Sequence, residues 1–198
     1  QGLSAQVADF VTLSGDLGLK KTSQSVTLAK QPGSVQGEVV QVDVLTLGGQ
    51  GLSAFVGLNG SSPDRLGLSL SGVDFGLALI SEKSSSGSGA GRQWTTLQAS
   101  ATQTAFVGLG SDLNISASGI QIEVNKVEVG AGPVIDYGTG ATSLSVATAP
   151  DSALKLSLDG AKGELLQASG HLSLDVYGFV QVAGDLAVSK RTETVTLA

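Results

Sequence analysis

The two ends of this chain are copies of each other, and no other feature of the sequence restricts its fold as much. Residues 1–29 align without a gap on residues 170–198, and thirteen of the 29 positions are identical. Among them are Leu3/Leu172, Val7/Val176, Phe10/Phe179, Gly15/Gly184, Asp16/Asp185, Lys21/Lys190 and the run Val-Thr-Leu-Ala at 26–29 and 195–198. Self-similarity at a fixed offset marks a repeat architecture. The reading that follows is one long repeat over 1–169 and the start of its next copy over 170–198, within one continuous domain or two.

A shorter pattern lies inside the long one. Phe10-Val11-Thr12-Leu13 leads through Ser14-Gly15-Asp16 to Leu17-Gly18-Leu19, and Phe179-Val180-Gln181-Val182 leads through Gly184-Asp185 to Leu186. Phe106-Val107-Gly108-Leu109 leads to Asp112-Leu113. Phe55-Val56-Gly57-Leu58 reaches Asp64 only after an insertion around Ser61-Ser62-Pro63. A small-residue turn between two alternating runs predicts strand, turn, strand. Phe10, Phe55, Phe106 and Phe179 recur at one position and are expected in a shared core. A degenerate further unit fits Val134–Gly138 with Leu144-Ser145-Val146.

Elsewhere the alternation is strong. Val40, Val42 and Val44 predict a strand with one buried face. Leu66–Ile80 alternates on either side of Ser71-Gly72, which reads as a hairpin or an arc, and Ser118-Gly119-Ile120 repeats Ser71-Gly72-Val73. Ser84–Gly91 is a low-complexity run expected to be an exposed, dispensable loop. Helical periodicity is missing. Hydrophobic residues make up 41% of the chain, enough for a core, yet aromatics are 4% and charged residues 14%. Gly, Ser and Thr fill the difference, a vocabulary of strands and turns.

The net charge of −6 and the scattered basic residues argue against a nucleic-acid partner, which needs a basic stripe. With no cysteine there is no disulfide framework or thiol chemistry. Gly and Ser interrupt every apolar run, so no transmembrane helix is expected. The chain has no Met and begins at Gln1, which reads as a mature or excised segment.

The candidate chemistry is thin. Asp16, Asp64, Asp112 and Asp185 could ligate Ca²⁺ along one edge of a stacked array, but each turn offers one carboxylate where Ca²⁺ wants six to eight oxygens. A capping role in tight turns is the simpler reading. His171 is the only histidine, so it cannot build a zinc site. Strand carboxylates such as Asp43, Asp74, Glu123, Asp136, Asp159 and Asp175 could pair across a groove to cleave glycosides, although Trp94, Tyr137 and Tyr177 are the only residues of their types to stack on sugars. No catalytic residue is assigned and no cofactor is expected beyond the calcium alternative.

The Ala-Phe-Val-Gly-Leu units at 54–58 and 105–109, the Leu-x-Leu-Ser-Gly-Val-Asp-Phe-Gly-Leu-Ala-Leu run at 68–79, Trp94–Ala99 and Gly178–Val182 together resemble repeat modules of very long bacterial surface and adhesin-like proteins. The resemblance implies an extracellular or cell-surface stalk or filament and carries no functional residues with it. The expected fold is all-β, an elongated β-solenoid or a solenoid-like stack of β-hairpins, with an antiparallel β-sandwich as the alternative. The expected function is structural or adhesive, with neighbouring copies of the repeat, surface glycans or host surfaces as partners. The alternatives are a carbohydrate-binding or carbohydrate-cleaving β-helix domain and a calcium-dependent surface module.

Overall fold

A computed structural model describes residues 3–7, 11–83, 91–110, 112–138 and 141–191. The expectations for Phe10 and for most of the Ser84–Gly91 loop lie outside these residues. The chain is all-β. Its strands are β1 (Leu3–Val7), β2 (Val11–Thr27), β3 (Val39–Leu58), β4 (Leu66–Glu82), β5 (Gln93–Val107), β6 (Leu113–Val129), β7 (Ser145–Ala149), β8 (Ser152–Lys155), β9 (Leu165–Val176) and β10 (Val180–Arg191). A single 3-10 turn, Gly160–Lys162, is the helical structure among the described residues.

Eight strands form one open sheet in the order β1-β2-β3-β4-β5-β6-β9-β10, and every neighbouring pair is antiparallel. The sheet is a meander of hairpins laid side by side, not the stacked coils of a solenoid. β7 and β8 make a separate hairpin that packs across β2, β3 and β4. The segment between β6 and β9, where a further copy of the small unit was expected, supplies this second layer instead. Within it Ile135 makes only an isolated bridge, to Leu28.

The strands are long. β2, β4 and β6 each hold 17 residues, roughly 55 Å at about 3.3 Å per residue. The Ser14-Gly15-Asp16 and Gly184-Asp185 segments, expected as turns, therefore lie inside β2 and β10. Gly15 bends its strand at φ +138° without reversing it. Real turns form where the pattern carries more loop chemistry. One is the Asn59–Arg65 insertion, and another is Gly108–Gly110, whose two glycines take φ +87° and +79°. Likewise Ser71-Gly72 is no hairpin. Gly72 and Gly119 both sit at φ +59° as kinks inside β4 and β6. Ser71 and Ser118 both pair with Gln103, so the two kinks lie in one row on either side of β5.

The core lies between one half of the sheet and the β6–β9 segment. Val26, Val40, Val42, Val44, Ala78, Ile80 and Trp94 project from the sheet, and Ile135, Tyr137, Leu144, Val146, Leu156 and Leu158 come down on them. Close approach depends on a row of glycines in register, Gly18, Gly48 and Gly76. A Cβ on Gly18 or Gly48 would stand 2.3 or 2.5 Å from the Ala147 carbonyl oxygen, so β7 rests directly on bare backbone. The layers are also pinned by buried polar groups. Trp94 Nε1–H donates to the Pro133 carbonyl at 3.1 Å, Asn125 Nδ2–H donates to the Ile135 carbonyl at 2.8 Å, and the Thr96 and Tyr137 hydroxyls share a 2.9 Å bond. Burial pushes the Tyr137 phenol pKa up, and the Thr96 bond opposes that only in part.

The phenylalanines do not share a core. Phe55 is 1% exposed, Phe106 44% and Phe179 92%. The cause is register. Phe55 lies in the row of Ser69 and Ala105, whereas Phe106 lies one row on, with Val56 and Leu68. A slip of one residue sends a side chain to the other face. Phe55 is backed by small neighbours and by Arg65, whose guanidinium sits 5.3 Å from the ring centroid. Phe179 stands in the turn between β9 and β10.

These placements separate the phenylalanines by stability. Phe55→Ala is expected to cost about 3–5 kcal/mol, the range for emptying a buried aromatic site. Phe179→Ala is expected to stay within about 0.5 kcal/mol, as for surface substitutions. Urea unfolding of both variants checks this, and equal losses would contradict the register.

Candidate interaction surfaces

The four aspartates with calcium-ligand potential stand apart. Asp16 lies in β2 opposite Gln50, Asp64 in the β3–β4 loop, Asp112 just before β6, and Asp185 in β10. Asp64 closes its own loop, its backbone N–H donating to Ser62 Oγ at 3.2 Å. The backbone carbonyl of Asp112 accepts from the Tyr177 N–H. Asp185 Oδ1 is 2.9 Å from His171 Nδ1 across the β9–β10 pair, an exposed contact. Among the described residues no three His, Cys, Asp or Glu side chains come together.

The strand and loop carboxylates are mostly engaged in holding backbone. Asp136 Oδ1 accepts from the N–H groups of Gly138 at 2.9 Å and Gly160 at 3.0 Å. Asp159 caps the 3-10 turn by accepting from the Ala161 N–H. Asp74 accepts from the Gly51 N–H at 2.7 Å, at the kink in β3, and Asp175 from the Gly178 N–H at 2.9 Å, at the β9–β10 turn. Glu123 accepts from Gln98, and Asp43 from Ser23 with Lys83 beside it. The Ser23 hydrogen bond and Lys83 hold the Asp43 carboxyl below its ordinary range.

The densest charged cluster was not foreseen from the sequence. Arg92, just ahead of β5, donates to Glu82 through Nε and Nη2 at 2.9 and 2.7 Å. It also reaches Glu38 through Nη1 and Nη2 at 3.0 and 2.9 Å. Its guanidinium lies 5.5 Å from the Trp94 ring centroid, so one residue clasps three strand ends and covers the rim of the core. Hydrogen bonds from Arg92 hold both glutamates below the usual carboxylate range. The same bonds raise the pKa of Arg92 above its ordinary value. The alternation Arg92-Gln93-Trp94 hints at such a lid, but the pairing of Glu82 with Arg92 depends on where β4 and β5 end.

Part of the open sheet face is apolar. On the face away from the β7–β8 layer, Leu19, Leu47, Leu77, Leu97, Val124 and Leu166 run in a single row across six strands. Leu19 and Leu166, at the two ends of the row, are exposed. The outer strand β10 is open along its length, with Val180, Val182, Leu186 and Val188 all more than half exposed. No helix among the described residues is long and apolar enough to cross a membrane, an observation that does not bear on β-barrels.

Compared with protein-family models, curated proteins and solved structures, the chain finds no match.

The Arg92 clasp gives a pH signature. The Glu82 pKa is depressed in the folded state, so its contribution is present above the ordinary carboxylate value of 4.5 and is lost as pH falls through the lower folded value. Arg92→Met removes that partner and is expected to cost about 1–3 kcal/mol near neutrality. The gap between variant and parent should narrow between about pH 5 and pH 3. Urea midpoints across that range check it; a gap independent of pH would show that the clasp contributes only packing.

Proposed function

We propose that this chain is a structural or adhesive repeat module of a large extracellular or cell-surface bacterial protein, assembling with neighbouring copies of itself into a stalk or filament. The observation that carries the reading is the shared geometry of the two copied ends. β1 and β2 pair in one register, and β9 and β10 pair in that same register 169 positions on, from Leu3↔Gly15 with Leu172↔Gly184 to Val7↔Val11 with Val176↔Val180. The copy is thus of a piece of sheet as well as of sequence.

Composition supports the compartment. A cysteine-free chain with 14% charged residues and abundant Gly, Ser and Thr suits an exported β module that relies on a long hydrogen-bonded sheet. We read the repeat as extending by hairpins added sideways to one antiparallel sheet, in place of the expected stack. We read the module as non-enzymatic because the strand and loop carboxylates named above are engaged with backbone N–H groups or with Ser23, Lys83 and Gln98 side chains. A calcium-dependent role would draw on Asp16, Asp64, Asp112 and Asp185, which are dispersed over the sheet. Surface glycans or host surfaces remain the partners for an adhesive role.

The test compares one unit with two. In a two-unit chain, residues 30–198 follow Ala198, as Lys30 follows Ala29 in the first copy. Coupled units stack at a gain in stability. The two-unit chain is expected to unfold as one transition at a higher urea midpoint than the single unit. Two independent transitions at the single-unit midpoint, with a strictly monomeric single unit in sedimentation, would mean separate beads on a string and would overturn the reading.

A further inference from the structure

We infer that the outer edge of β10 is a docking site for β3 of a following copy that continues from residue 30, in a register the structure already contains. The inference rests on the repeat-module reading above and adds the surface, the partner strand and the residue pairing.

β10 is the counterpart of β2, offset by 169 residues. One edge of β2 pairs with β1 and the other with β3. One edge of β10 pairs with β9, and the other has no strand beside it in the sheet order. The complementary edge is β1. Its counterpart, the 172–176 part of β9, pairs with β6 from Leu113 to Ala117. β9–β10 and β1–β2 are therefore two versions of one hairpin, and a copy that continues from residue 30, whose β3 has no β2 of its own, finds the β2 counterpart in β10. Such a contact is head-to-tail and repeats without closing.

Edge strands are commonly guarded by charge, and β10 carries Asp185, Lys190 and, at its last position, Arg191, where β2 has Thr22 opposite Val44. Asp185 and Lys190 are the counterparts of Asp16 and Lys21, which pair with Gln50 and Leu45 of β3. Asp185 and Lys190 are compatible with a β3 partner because β2 already accommodates their counterparts in that place. The same arithmetic sets the pairing: Leu19↔Leu47 becomes Val188↔Leu47 of the second copy, and Gly18↔Gly48 becomes Ala187↔Gly48. Val188, 62% exposed in the single unit, would join the row of leucines on the open face.

One of the differences between β10 and β2 bears directly on the fit. Ala187 stands where Gly18 lets β7 approach, and a Cβ at Gly18 would lie 2.3 Å from the Ala147 carbonyl oxygen. An identical second copy must seat its β7–β8 hairpin slightly outward over β10. Ala187→Gly should relieve this and raise the urea midpoint of a two-unit chain while leaving that of the single unit unchanged or lower.

The absence of cysteine makes the register directly readable. Opposed residues of an antiparallel pair lie within disulfide reach. In the two-unit chain, Val188→Cys is combined with Leu47→Cys in the second copy. The shifted control combines Val188→Cys with Leu45→Cys in the second copy. Leu19→Cys with Leu47→Cys in a single unit is the internal standard. Under mild oxidation the 188/47 pair is expected to close within about tenfold of the standard's rate and far faster than the shifted pair. A 188/47 pair no faster than 188/45 overturns the inference, and failure of the 19/47 standard overturns the register it is built on. If the two-unit chain gains stability while 188/47 fails, the units cohere through another surface and the repeat-module reading stands without this docking site. If stability and crosslink both fail, both readings fall.

Discussion

A long flat sheet has no inside until something covers it, and here the cover is a short segment resting on backbone. The 133–165 stretch can approach β2, β3 and β4 because Gly18, Gly48 and Gly76 line up in register beneath β7. That contact excludes water from Val42, Val44 and Ile80. The bonds from Trp94 to Pro133 and from Asn125 to Ile135 then fix the angle at which the cover lies. Buried donors and acceptors are costly to leave unmade, so the cover either seats with all of them paired or not well at all. Arg92 closes the rim over Trp94 and ties the ends of β4 and β5 to the approach of β3.

The rest of the sheet follows a hairpin period. Ser71-Gly72-Val73 of β4 and Ser118-Gly119-Ile120 of β6 fall in one row, and so do Leu97–Ser100 of β5 and Leu166–Ser169 of β9. The sequence copies are strands two places apart pointing the same way, which is how a meander repeats. Much of this was legible. The alternation at Val40, Val42 and Val44 marked a buried face, and Gly-rich breaks marked where the alternation is interrupted, each of them read as a turn, hairpin or arc. What the sequence left open was which break reverses the chain. Ser14-Gly15-Asp16 and Ser71-Gly72 bend a strand, while Asn59–Arg65 and Gly108–Gly110 end one, and the difference lies in how many residues adopt turn conformations. The phenylalanines were misread for a related reason. Identical motifs can sit one row apart, and period two turns one row into the opposite face, as Phe55 and Phe106 show.

The carboxylates that hold backbone were not the ones the turn pattern singled out. The cap role was expected of Asp16, Asp64, Asp112 and Asp185, yet Asp16 and Asp185 lie within strands; the aspartates that hold backbone N–H groups include Asp136, Asp159 and Asp175, which were read as strand carboxylates. The Arg92 clasp and the glycine row were hidden because both depend on partners distant in sequence. The glycine row did leave a trace, an apolar residue before each glycine: Leu17-Gly18, Leu47-Gly48 and Phe75-Gly76. What emerges is a surface with little concentrated chemistry and a great deal of exposed strand, which suits extension by more of the same sheet.

The central claim, that this sheet is built to continue at β10, has a direct readout in amide hydrogen exchange. Alternate amides of β10 point outward from its free edge in the single unit, whereas those of β2 donate to β3. Exchange follows local opening of the hydrogen bonds that cover each amide. In the two-unit chain, the outward amides of β10 in the first unit should slow to the protection of their β2 counterparts 169 residues earlier. If they exchange as fast as in the single unit, the edge stays open and the sheet does not continue.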